Sequence, residues 1–117
     1  MANKINVDRG TTYVMTINYQ KNGVAADLTG ATVRFTVKTP AYDTDNLDTS
    51  AVIKKDINSF TNPTSGVATI TLVPTDTQSL LPANYNYDLK VEEASGIIHT
   101  LDKGLFVLNA TATNRFV

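Results

Sequence analysis

LPANYNYDLKVEE, residues 81–93, carries a strict two-residue rhythm. Tyr85, Tyr87, Leu89 and Val91 fall on one phase, and Asn84, Asn86, Asp88, Lys90 and Glu92 on the other. Successive side chains of a strand point to opposite faces, so one phase lines a core and the other meets water. The stretch predicts a half-buried antiparallel strand.

Working outward, the same signature recurs. In ATVRFTVK, Ala31, Val33, Phe35 and Val37 alternate with polar residues. In TYVMTINYQ the face is Tyr13, Met15, Ile17 and Tyr19; in VATITLV it is Ala68, Ile70 and Leu72. KINVD pairs Ile5 with Val7, and the irregular AVIKKDI at 51–57 predicts an edge strand. The long segment 97–113 contains Gly104, which predicts a bulge or bend there. Asn22-Gly23 suits a two-residue type I′ hairpin; DLTG (27–30), NPTSG (62–66) and EEASG (92–96) are further turns. TPAYDTDNLDTS at 39–50 reads as a longer polar loop. One short helix is expected in PTDTQSLL, 74–81, with Thr75 as its N-cap. Seven to eight short strands separated by turn signals predict an all-β chain, an immunoglobulin-like antiparallel sandwich with one short helical crossover. A tyrosine opening the strand after that crossover suggests a tyrosine corner at Tyr85, its hydroxyl bonded back to the crossover; two plain core tyrosines is the other reading.

The bulk numbers fit one domain spanning 1–117, a length at which about two thirds of the unfolded surface becomes buried. There is no cysteine, which excludes disulfides and thiolate metal sites. The net charge of −1 leaves no basic footprint for nucleic acid. The longest apolar run, Leu105 to Leu108, is far too short to span a bilayer, and MANKINVDRG has no apolar secretory core.

Three stretches together, DLTGATVRFTVKTP, GVATITLVPTDTQSLLPANYNYDLKVEEASG and GLFVLNATATNR, resemble the N-terminal immunoglobulin-like domain of phage baseplate upper proteins, over about residues 5 to 113. The resemblance implies a virion structural protein in the tail, baseplate or neck, assembled in the host cytoplasm and working by docking on other virion proteins as a symmetric oligomer. The sequence ends at Val117, where a baseplate upper protein normally continues, and this leads us to expect a stand-alone virion component. Two alternatives stay open: a head decoration protein of the same fold, and a module that grips host-surface glycan.

Chemistry is sparse. His99 is the one histidine, beside Ile97 and Ile98, and no glycine-flanked serine elbow accompanies it, so no enzyme and no cofactor are expected. Asp43, Asp45, Asn46 and Asp48 offer hard oxygen ligands of the kind calcium takes, but without EF-hand spacing, so the stretch reads as a solvated acidic loop. Asn109-Ala110-Thr111 matches a glycosylation sequon in a chain with no visible route to that machinery. The candidate partner contacts are Tyr42, Asp43 and Asp45 in the polar loop, and Phe116 and Val117 as an apolar terminal anchor.

Overall fold

The computed structural model describes residues 3–39 and 51–112. Its elements in chain order are β1 (Asn3–Asp8), β2 (Tyr13–Asn18), β3 (Gln20–Lys21), β4 (Val24–Ala25), β5 (Thr32–Lys38), β6 (Ile53–Ile57), β7 (Val67–Leu72), α1 (Pro74–Thr77), β8 (Ala83–Glu92) and β9 (Ile98–Asn109). The all-β sandwich expected from the alternation is present. A five-stranded sheet runs β1-β9-β8-β5-β6, and β2 pairs with β7 in a second layer. Among the described residues the strands number nine, because the Asn22-Gly23 hairpin adds β3 and β4, two residues each.

The four strong alternations all become strands with the expected face inward. Val33, Phe35, Val37, Tyr85, Tyr87, Leu89 and Val91 are buried from the large sheet, and Ile17, Ala68, Ile70 and Leu72 from the small one. Each fully buried aliphatic or aromatic side chain contributes roughly 1.5–3 kcal/mol relative to exposure. Phe35 is the aromatic centre, 5.8 Å from the Tyr87 ring and 6.3 Å from that of Phe106, both tilted. β6 is an edge strand, as its irregular pattern suggested.

Three local expectations need correction. First, one pair is not antiparallel: β1 lies parallel to β9, with Asn3 opposite Gly104 and Asp8 opposite Asn109. The first strand therefore joins the last one directly. Second, the β8–β9 irregularity falls at Leu101, the extra residue between Lys90↔Thr100 and Leu89↔Asp102. Gly104 pairs regularly with Tyr87, adding no side chain beside that ring. Third, the N-cap of α1 is Val73, not Thr75. Pro74, whose fixed φ suits the first helical position, starts the helix two residues earlier. Asp76 Oδ2 accepts the Val73 N–H at 2.8 Å.

The crossover is stapled to the rest of the fold. Gly10 N–H donates to Oγ1 of the buried Thr77 at 2.8 Å, and Arg9 Nε donates to the Gln78 carbonyl at 2.9 Å. Lys55 of β6 reaches Asp76 at 2.9 Å. At the other end of the sandwich, Asn22 (φ 53) and Gly23 (φ 78) make the two-residue turn that joins β3 to β4. This backbone is what a type I′ hairpin requires.

Candidate interaction surface

The phase of each strand decides what its outer face presents. On the large sheet the outward phase is charged and cross-linked. Arg34 on β5 reaches Asp56 of β6 at 3.4 Å and Glu92 of β8 at 3.1 Å. Lys90 and Lys103 share that face, and Lys54 extends it to the edge. The small sheet is the opposite case. Its outward residues are Val14, Thr16 and Asn18 on β2, facing Thr71, Thr69 and Val67 on β7. Residues 11–20 and 66–75 contain no charge at all. Val14 stands 55% exposed.

The edges differ in the same way. β1 carries Lys4 and Asp8, and β6 carries Lys54, Lys55 and Asp56. Charged side chains on an edge strand discourage pairing with other chains. The β7 edge is flanked by Ser59–Asn62, which line a cleft along Val67–Thr69. β2 pairs only with β7 among the described residues, and its other edge opens on a groove of about 650 Å³. Tyr13 and Met15 of β2 and Tyr19 just after it line the groove on one side, and Ile5, Leu89 and Leu101 of the facing sheet on the other.

A polar knot closes one end of the sandwich. Glu93 Oε2 takes the Lys21 ammonium at 2.6 Å and accepts the Tyr19 hydroxyl, with His99 Nε2 at 3.6 Å. The Lys21 ammonium and the Tyr19 hydroxyl together hold the Glu93 carboxyl below its usual range. Burial, then the bond to Glu93, pushes the Tyr19 phenol up to about 12. Tyr87 makes a parallel arrangement, donating to Asp102 Oδ2 at 2.8 Å, and its phenol is also raised by burial and then by that bond.

The knot was missed in the sequence, yet a signal was there. Glu93 continues the phase of Tyr85, Tyr87, Leu89 and Val91, and Lys21 that of Tyr13 to Tyr19. A charge on an inward phase announces a partner from the facing layer. Among the residues singled out beforehand, Tyr85 donates its hydroxyl to the Leu81 carbonyl at 2.6 Å. His99 is half-exposed on the β9 segment beside Glu93, its ring 6.3 Å from that of Tyr19. Tyr42, Asp43, Asp45, Asn46 and Asp48 lie outside the described residues, as do Phe116 and Val117. Among the described residues no group of three or more His, Cys, Asp or Glu is placed to hold a metal ion, and no helix is long and apolar enough to cross a membrane.

A β-sandwich whose polar groups are spent on cross-strand ties and inter-layer bonds is the build of a structural domain. The chain belongs to the BppU N-terminal domain family, whose profile matches residues 3–115, and so to the structural proteins of the phage baseplate. No curated protein matches the sequence. Solved structures that share the fold include the following two. The soluble domain of PmoD from Methylocystis sp. ATCC 49242 (Rockwell) is 9% identical, with a TM-score of 0.51 over 89% of this chain and 77% of that one. CopC from Methylosinus trichosporium OB3b is 14% identical, with a TM-score of 0.50 over 94% and 87%.

Proposed function

We propose that this domain is an immunoglobulin-like module of the baseplate that acts by docking on neighbouring virion proteins, not by catalysis. The observation that carries the reading is the division of the surface. One layer spends its charges in ties such as Arg34–Asp56 and Arg34–Glu92, while the β2–β7 layer presents Val14, Thr16, Thr69 and Thr71 with no charge among them. Charged residues are depleted at the centres of protein interfaces, because desolvating them is costly. The neutral layer is therefore the face suited to contact, and the charge-laced layer the one suited to water. Membership of a baseplate family supports a tail location over the head.

The test is copy number. Virions are digested and this protein is quantified against the major capsid protein by mass spectrometry. A low multiple of three or six per particle is expected, as rotational symmetry in a baseplate requires. A ratio near one copy per capsid subunit would replace this reading with head decoration. Absence from particles would end both.

A further inference from the structure

We propose that the free edge of β2 pairs antiparallel with the β2 edge of a second copy of this chain. This deepens the docking reading and rests on it.

The backbone fixes what that edge offers. Tyr19 turns both its backbone groups toward the interior of its layer: its N–H donates to the Gly66 carbonyl at 2.7 Å and its carbonyl accepts from Ala26 at 3.0 Å. Along an antiparallel strand the backbone groups of alternate residues point to opposite sides. The N–H and C=O groups of Val14, Thr16 and Asn18 therefore point to the outer edge, where no strand meets them among the described residues. β3 continues the line, so the edge runs about 23 Å from Tyr13 to Gln20, at the usual rise of a strand. A row of unpaired backbone groups of that length is a template for another strand.

Two observations argue that the edge is meant to be covered. It has none of the guards its counterparts carry: no lysine, aspartate, proline or glycine lies between Thr11 and Gln20. The groove beside it leaves Tyr13, Met15 and Leu101 half-buried, so a further strand completes the layer above Ile5 and Leu89.

A second copy is the occupant that the charges favour. In a two-fold pairing every residue meets its own counterpart or that residue's mirror position, so a charged strand opposes itself. Lys54 and Lys55 forbid this on β6, and Lys4 and Asp8 constrain it on β1. β2 is neutral throughout and self-compatible. A register centred on Thr16 sets Val14 opposite Asn18 and places Lys21 opposite Thr11, with no like charges in contact. The product is a four-stranded layer, β7-β2-β2-β7, with the uncharged face continuous across the dyad.

The test uses the whole chain in solution. Sedimentation velocity from micromolar concentration upward is expected to show a monomer–dimer equilibrium. Thr16→Lys puts two ammonium groups face to face at the dyad and is expected to raise the dissociation constant at least about tenfold. Mixing Thr16→Lys with Thr16→Asp is expected to restore the dimer. Thr100→Lys, exposed on the other sheet, is expected to leave it unchanged. Amide exchange needs no variant: protection at Val14, Thr16 and Asn18 is expected to rise with protein concentration. A monomer up to about 1 mM, a dimer indifferent to Thr16→Lys, a mixture that fails to re-form one, or concentration-independent exchange each overturns the pairing. A monomer still found in virions at baseplate copy number overturns the β2 pairing alone and leaves the docking reading intact.

Discussion

Glu93 shows how one carboxylate ties two layers. Its partners Tyr19 and Lys21 come from the small layer, and its own position closes β8 in the large one. The depressed carboxyl sets a sign for pH dependence. A group whose folded-state value lies below its unfolded value adds stability above the unfolded value and loses it as pH falls through the folded one. Glu93→Gln is therefore expected to cost stability at neutral pH, by a gap that stays flat above pH 6 and narrows below 4.5. Urea melts at several pH values check this; a gap that widens in acid would refute it. Tyr19 works in the other direction. Its raised phenol adds stability that is complete below pH 10 and is lost as pH climbs toward 12. Tyr19→Phe is expected to flatten the alkaline limb of the same curve. Tyr85 is a smaller tie. Its bond to the Leu81 carbonyl fixes the end of the crossover, and Tyr85→Phe is expected to cost about 1 kcal/mol in urea unfolding, the usual net value of one hydrogen bond.

At the scale of elements, what was legible in the sequence was whatever depends on neighbours in the chain. Tyr85 to Val91 and Val33 to Val37 reported their own faces because period-two alternation is a local consequence of the pleat. The Asn22-Gly23 turn was equally local, set by two residues that accept positive φ. What escaped depends on who sits across the sheet. Ile5 and Val7 announced a buried face, but nothing in KINVD tells a parallel neighbour from an antiparallel one. Gly104 drew attention as the flexible residue, while the bulge went to Leu101, where it lets both Leu101 and Asp102 lean toward the groove. The Glu93 knot was hidden because its members are far apart in the chain. Turns also divide by surroundings. At Gly66 (φ 73) an added Cβ would run into the carbonyl oxygen of Tyr19, just after β2, and lie 2.8 Å from that of Ala26, just after β4, both backbone atoms. At Gly23 (φ 78) it would meet nothing within 4 Å. Gly23→Ala is expected to cost about 1–2 kcal/mol, the left-handed penalty alone. Gly66→Ala is expected to cost at least twice as much, because the clash adds to the same penalty. Thermal melts of the two variants compare them directly, and equal losses would contradict the clash.

Across the whole molecule, the division between a charge-laced layer and a neutral one underlies the proposed docking role, with water on one side and neighbours on the other. The chain's path adds a further property. β1 and β9 run side by side in the same direction, Asn3 beside Gly104 and Asp8 beside Asn109. A pull applied at Asn3 and Asn109 draws the two strands past each other along their length. All the bonds between them then bear the load at once, and none can fail before the rest. A pull applied at Asp8 and Asn109, which lie opposite each other, opens the same bonds one after another from one end. Single-molecule stretching is expected to give a clearly higher rupture force for the first attachment than for the second, and equal forces would refute it. A domain threaded this way is expected to act as a mechanical clamp, resisting tension between its two ends.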